Sequence, residues 1–398
     1  MGDFLGFDLA NPRVPFDLAN PNLAPRALVS LASDGTFSRA SDGWYLDGSI
    51  LRQVGNDVRR FEDRGGGNGA HLLLEGERTN LLTHSEDFAN ASWESPNSAV
   101  IPTITSNAIT APDGTQTADK VEDTDGSNAE KLDQRLTLPD TTTTYCLSVY
   151  AKKDTSQYVT VRLRTEGGGG AQKIVQFDFS TNSVVSVDGQ AEEIGDGWWR
   201  LSIDVGRTAG NNTTALNEIF PTDATPSSTG SVYCWGAMLE EGAFPSSYIS
   251  TTSAAATRAA DSLTQSSPRA GLLAGAVTGT LYPYAASSEL PASAEQWLVS
   301  VGGASNGLRL RNDAGSRKLE YLRGGSVIAA RTIAYSRHQA LAYTLDHAAG
   351  SLTVSGATTG DGTSTGSAGS WSTATTRYGG VQGGSSELYG RLSDIEAA

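Results

Sequence analysis

Cysteine, histidine, basic charge and long apolar runs are all scarce in this sequence, and each scarcity closes off a class of function. Only two cysteines occur, Cys146 and Cys234, each inside a strand-like run. Two buried free thiols are the favoured reading for a chain that folds under reducing conditions, with a disulfide between them left open. Neither they nor the four scattered histidines, His71, His84, His338 and His347, show zinc-ligand spacing. Lysine and arginine total 29 against 44 acidic residues, a net charge of −15. No nucleic-acid partner is expected, because phosphate binding needs a basic surface that gains by releasing counterions. No apolar stretch approaches the ~20 residues that span a bilayer, so no membrane partner is expected. The start has neither a basic leader nor an apolar core behind it, and Gly6 stands where myristoylation after Met1-Gly2 wants Ser or Thr. Synthesis and folding in a bacterial cytoplasm are expected. No G-x-S-x-G, phosphate loop, metal cluster or Cys/His nucleophile pattern is present, and the chain is not expected to be an enzyme. The catalytic device left open by 44 acidic residues is a carboxylate pair for glycoside hydrolysis.

What is there points to an all-β chain. Glycine is 45 of 398 residues, above the usual ~7%, and short Val/Ile/Tyr/Trp-rich stretches recur between polar turns, as in sandwiches and jelly rolls. The length predicts two or three domains. Residues 1 to about 30 hold Pro12, Pro15, Pro21 and Pro25, each pushing its predecessor toward extended geometry, so this is an extended N-terminal arm. Residues 31–80 carry "GTFSRAS" and "GWYLDGSILRQV" and end in the flexible "RGGGNGAH"; they predict a small β-rich unit or a wrapped extension.

From 81 to about 260 the alternation is clear. Tyr145, Leu147, Val149 and Ala151 share one parity, opposed by Cys146, Ser148, Tyr150 and Lys152. Val159, Val161 and Leu163 oppose Tyr158, Thr160, Arg162 and Arg164, while Trp199, Leu201, Ile203 and Val205 oppose Trp198, Arg200, Ser202 and Asp204. Successive strand residues point to opposite faces, so each strand is expected to bury one side and wet the other. The Ser/Ala/Thr-rich run 247–268 reads as a linker. Beyond it, "EQWLVSVGG", "GLRLRND", "KLEYLRGG", "SVIAARTIAY" and "QALAYTLDHAAGSLTVSG" predict further strands, with tight turns at Asp313-Ala314-Gly315 and Ala349-Gly350. The Gly-rich run 356–370 reads as a mobile loop. The expected division is 1–80 for the arm and small unit, 81–261 for a jelly roll and 262–398 for a second sandwich.

Three stretches, "LLLEGERTNLLTHSEDFANASW" (72–93), "GDGWWRLSI" (195–203) and "VYCWGAMLEEGAFPSSYISTTSAAATRAAD" (232–261), together resemble phage particle proteins that carry a carbohydrate-binding-module-like jelly roll. The C-terminal unit is similar to concanavalin-like or laminin-G-like sandwiches in strand rhythm. With the arm, the layout resembles head spike or fibre proteins of phages and gene transfer agents. The resemblance implies a protein on a virion-like particle surface, at a capsid vertex rather than a tail, that attaches to capsular or other host surface polysaccharide. It also implies oligomers on the particle. A polysaccharide depolymerase and a purely structural decoration protein are the alternatives. Two departures stand out: Trp199 replaces the Tyr common after the Trp of the "GW" motif, and the two cysteines stand where Phe or Ile is expected.

Sugars are gripped by flat aromatic faces and by planar hydrogen-bonding groups that match vicinal hydroxyls. The predicted wet face therefore nominates Tyr150, Lys152, Tyr158, Arg162, Arg164, Trp198 and Arg200 as a glycan groove, suited by its arginines to uronate or phosphate-bearing chains. Tyr335 and Trp371, with Arg337, His338 and Tyr378, are lesser candidates in the third domain. Glu75 and Glu77 beside Arg78 read as a structural ion pair rather than a catalytic pair. No cofactor is expected; a structural calcium is kept open, with loops such as "EDTDGSN" (122–128) as oxygen sources.

The arm begins with one hexapeptide written twice, Phe7–Pro12 and Phe16–Pro21. In an extended chain residues two apart share a face, so Phe7 with Leu9, and Phe16 with Leu18, can each fill an apolar pocket on a capsid, spike-base or tail protein. Nine extended residues reach up to about 30 Å, enough to bridge neighbouring subunits and gain avidity. Deleting residues 1–25 is expected to leave purified particles without the protein in an immunoblot; particles that keep it would retire the docking role.

Overall fold

The computed structural model describes residues 27–29, 35–63, 70–93, 101–168, 170–207, 212–265, 276–283, 286–287, 295–301, 304–313, 315–367, 369, 376–378, 390–392 and 395–397. Paired strands run antiparallel throughout, and the helical content of the described residues is a 3₁₀ turn at Ala91–Trp93 and a single 3₁₀ residue at Ser287. The chain is all-β, as its composition predicts. Among the described residues no helix is long and apolar enough to cross a membrane.

The central sandwich packs a five-stranded sheet on a six-stranded one. The first runs in the order Leu132–Thr137, Thr214–Phe220, Tyr158–Glu166, Gln172–Asp178, Ser183–Val184. The second runs Gln190–Gly195, Trp198–Val205, Tyr145–Lys153, Gly230–Glu241, Ala118–Asp123, Thr103–Ile109. Between them lie Leu147, Val149, Leu201 and Ile203 from one sheet and Val159, Val161 and Leu163 from the other, all fully or nearly fully buried. These are the inward parities expected from period two, each side chain contributing about 1.5–3 kcal/mol by burial.

The second sandwich is built from both ends of the chain. Its nine-stranded sheet contains Arg60–Glu62 and His71–Leu74 beside Gly390–Leu392, Ala276–Pro283, Leu341–Asp346, Ser351–Ser355 and Gly362–Thr365. Ala27–Val29 also joins this sheet by pairing with Ile395–Ala397. The seven-stranded sheet takes Thr36–Ser38 next to Ser262–Gln265, then Thr376–Tyr378, Glu295–Val301, Gly307–Asp313, Ser316–Arg323 and Ser326–Thr332. Phe37 and Leu72–Leu74 share a core with Leu263, Leu281, Val299, Leu310 and Leu345. The strand pieces of residues 31–80 are therefore a wrapped extension, apart from one hairpin, Gly43–Asp47 with Ile50–Val54. The turns at Gly315 and Gly350 join the expected hairpins, both glycines at positive φ.

Between these terminal strands the central sandwich is an insertion. Its incoming strand, Arg78–Asn80, pairs with its outgoing strand, Ala256–Arg258. Two sequence readings change here. The stretch 247–268 is not a linker over its described part: Tyr248, Ile249, Arg258, Asp261 and Leu263 are buried, because this polar run carries scattered core residues that composition averages away. The run 356–370 is not simply a loop, since Gly362–Thr365 pairs with Ser351–Val354 as an edge strand. The expected flexible glycines at 64–69 lie outside the described residues. Cys146 and Cys234 are buried free thiols. Cys234 sits opposite Ala151 on the core side and Cys146 on the other side of the same sheet, which keeps the two sulfurs apart.

The junction is held by a buried ion network. Arg60 meets Glu75 at 2.8 Å, contacts Asp261, and also donates to the Trp44 carbonyl and Ser247 Oγ. Arg39 reaches Asp261 at 3.2 Å, and Arg258 lies 3.6 Å from Glu75. Glu75 further accepts from the Ser247 amide and hydroxyl, while Asp261 accepts from the Glu75 amide. Burial raises the Glu75 pKa, but Arg258, Arg60 and the Ser247 bonds outweigh it and hold the carboxyl at about 2. Glu75 is thus a structural ion-pair member, its partners being Arg60 and Arg258. Because this folded pKa lies below the ordinary glutamate value of 4.5, the stabilisation is complete above that value and is lost as pH falls toward about 2. Urea midpoints should drop through that window, and Glu75→Gln should flatten the drop. Arg60→Met, which takes one arginine from each of two buried carboxylates, should cost roughly 3–5 kcal/mol in urea denaturation; a loss under about 1 kcal/mol would remove the network from this role.

Candidate functional site

The hairpin 43–54 decides what the outer face of the six-stranded sheet can do. Gly48, at φ 65°, makes the tight turn that lets its two strands pair, with Trp44 opposite Gln53 and Leu46 opposite Leu51. Leu46 and Leu51 then pack with Tyr150, Ile194, Trp198, Trp235, Met238 and Tyr248 as a second apolar layer on the sheet. The aromatic rings interlock: Trp44 meets Trp235 and Tyr248 edge-on at 6.3 and 5.3 Å, and Tyr150 meets Trp235 at 5.5 Å.

This cover corrects three of the proposed glycan residues. Tyr150, Trp198 and Arg200 are 1%, 2% and 5% exposed. Arg200 lies over the Tyr150 ring at 5.2 Å and donates to the Ser246 carbonyl and Ser148 Oγ. Period-two counting assigned them correctly to the face away from the central core, yet a segment a hundred residues earlier seals that face.

A second correction concerns the groove as a whole. Tyr150, Lys152, Trp198 and Arg200 stand on the six-stranded sheet, while Tyr158, Arg162 and Arg164 stand on the outer side of the five-stranded sheet, across the sandwich. The latter three are half-buried. Arg162 pairs with Glu218 across the strands and lies over Phe220 at 4.9 Å, with Lys131 on the same carboxylate. Burial raises the Glu218 pKa, but these partners bring it down overall. Arg164 meets Glu166 at 3.2 Å, and Tyr158 Oη accepts from Gln157. Each arginine is held by a carboxylate of the same sheet, Glu218 shared with Lys131 and Glu166 shared with Arg135, so these guanidinium groups are engaged within the face.

In the third domain Tyr335 and Tyr378 are core residues. Arg337 donates to Ser202 and His338 stands 3.4 Å from Glu192, both contacts that dock this domain on the central one. A joint site of these residues is therefore not assembled. Trp371 and the arm residues Phe7, Leu9, Phe16 and Leu18 lie outside the described residues. Carboxylates of the 122–128 loop accept amides of the loop itself: Asp123 from Asp125 and Glu130, Glu130 from Thr124. Desolvation and the neighbouring Glu130 raise Asp123 to about 6. Among the described residues no group of three metal-ligating side chains is assembled.

One proposed residue does reach an accessible cleft, and it brings Trp198 to its edge. A cleft of about 490 Å³ opens where the hairpin tip meets the sheet, lined by Ser49, Ile50, Lys152, Asp196, Trp198 and the 110–114 turn. The Lys152 Nζ stands 6.0 Å from the Trp198 ring centroid, held across the strands in register. Asp196 is exposed on a turn at φ 51°, between Gly195 at 116° and Gly197 at 79°. A Cβ at Gly195 would come within 2.2 Å of Ser49 Cβ, so only glycine lets this turn close on the hairpin. The cleft joins a cation, a carboxylate and a hydroxyl beside the rim of Trp198, and the three polar groups can hydrogen-bond a polyhydroxylated anion. Asp196 was missed in the sequence; the Gly-Asp-Gly triplet before Trp198 was its signal.

No family model and no curated protein matches this chain. Among solved structures it is similar to the enzymatically active domain of tailspike protein 4 of bacteriophage CBA120, with 13% sequence identity and a TM-score of 0.29. The similarity covers 41% of this chain and 21% of that one.

Proposed function

We propose that this protein is an attachment protein on the surface of a phage or gene-transfer-agent particle, and that it binds acidic polysaccharide of the host envelope. The observation that carries the reading is the cleft joining Lys152, Asp196 and the Trp198 edge. Lys152 supplies the countercharge for a uronate or phosphate group, and Asp196 and Ser49 match hydroxyls. Tyr158, Arg162 and Arg164, on the opposite sheet, are secondary contacts for a long polymer. Affinity per site is weak and the grip comes from many copies on one particle.

The topology supports an orientation. Strand Ala27–Val29 enters the nine-stranded sheet beside Ile395–Ala397, so an arm preceding it leaves from the two-ended sandwich. In this reading that sandwich faces the particle, and the inserted central sandwich projects outward with the cleft. Glu75, which is sealed in ion pairs and held ionised to about 2, is not a general acid near neutrality.

Polygalacturonate binding by the full chain is the test. Lys152→Ala and Asp196→Asn, the latter keeping a residue tolerant of positive φ, should each weaken binding about tenfold, near 1.4 kcal/mol, with unchanged melting temperature. Binding by both at the level of the unaltered protein would overturn the reading.

A further inference from the structure

A second cleft, of about 240 Å³, opens on the other side of the hairpin from the Lys152 site. It is lined by Asp42, Trp44, Gln53 and Thr257, over a floor of buried Tyr248 and Arg258. None of the residues nominated from the sequence lies in it. We propose that this cleft is a separate saccharide site, selective for a single neutral hexose unit over a uronate.

The geometry provides each element of sugar recognition. Trp44 is half-buried and wedged edge-on against Trp235 and Tyr248, at interplanar angles of 70° and 67°, so the part of the indole facing the cleft is a fixed platform. Fixing an aromatic beforehand removes the ordering cost that a free side chain would incur on binding. Gln53 stands directly across the hairpin from Trp44, and its amide donates to Asp42 Oδ2 at 3.3 Å. That contact leaves amide and carboxylate side by side at the rim, both exposed, with the second carboxylate oxygen, the Gln53 carbonyl oxygen and a second amide proton directed to solvent or ligand. Such a planar pair matches two adjacent hydroxyls, one donating and one accepting. Thr257 Oγ1, already 2.8 Å from Thr79 Oγ1, adds a hydroxyl from the third side.

Charge sets the selectivity. Two residues lining this cleft are ionised. Arg258 is buried, with its guanidinium committed to the Gly76 carbonyl and lying near Glu75. Asp42 is the exposed one, so the field at the rim is negative and repels a carboxylate. The Lys152 cleft differs in setting an ammonium beside its one carboxylate, Asp196. The Trp44 cleft, at about 240 Å³, is below the ~300 Å³ at which drug-sized sites begin and suits one sugar ring. The specificity contrast rests on the reading of the Lys152 cleft as an acidic-sugar site, whereas the Trp44 site itself does not.

The experiment uses the full chain and two probe sets, neutral hexose oligosaccharides of gluco, manno and galacto type, and oligogalacturonate. Binding is followed by tryptophan fluorescence and by indole N–H shifts. At least one neutral probe should bind with millimolar affinity, weakened tenfold or more by Asp42→Ala and by Gln53→Ala, and unaffected by Lys152→Ala. Both rim residues are exposed, so these variants keep the fold where Trp44→Ala could lose it; Trp44→Phe should retain partial binding. Absence of binding by all neutral probes, or full binding by both rim variants, overturns the second site. Loss of oligogalacturonate binding in Lys152→Ala is scored separately, so either site can fail without the other.

Discussion

Glu75 and Asp261 have no access to water, and that fact constrains the whole molecule. Each carboxylate is buried where the chain leaves one sandwich and enters or re-enters the other, Glu75 paired with Arg60 and Arg258 and Asp261 with Arg39 and Arg60. The arginines come from three separated segments, and Ser247 adds a fourth. None of these segments can shift without stranding a charge in a low dielectric. The network thus fixes the hairpin on the central sandwich and fixes both on the two-ended sandwich.

From that anchoring follows the character of the surface. Arg60 donates to the Trp44 carbonyl, and Glu62 accepts from the Leu46 amide, so the hairpin is held down at its base. Pinned there, it lays Leu46 and Leu51 over aromatic residues that would otherwise be wet. A sheet with a single solvated face becomes a three-layer stack, and the accessible chemistry moves to the two margins of the hairpin. One margin carries Lys152 and Asp196, the other Asp42, Trp44 and Gln53.

Much of this was legible in the residues. The inward parities of 145–151, 159–163 and 199–205 mark the central core because a pleated strand has a fixed period of two. The turns at Gly315 and Gly350 were legible because positive φ leaves few residue choices. The candidate site was legible only in part. Lys152 was found and Asp196 was not, since a lone aspartate in a turn looks like any solvated turn until the hairpin tip is placed beside it. Tyr150 and Arg200 looked like binding residues because aromatic and guanidinium groups on an outward face serve sugars and buried second layers equally well.

The sequence by itself determined the all-β class and the core sides of the central strands, which follow from local spacing and composition. The tertiary structure decided which strands share a sheet, that residues 27–74 complete a sandwich begun after residue 262, and that the outer face of the central sheet is covered. These are matters of contact between segments up to several hundred positions apart. No local period encodes such contacts: they are selected by the joint burial of apolar layers and the pairing of charges that a folded chain alone brings together.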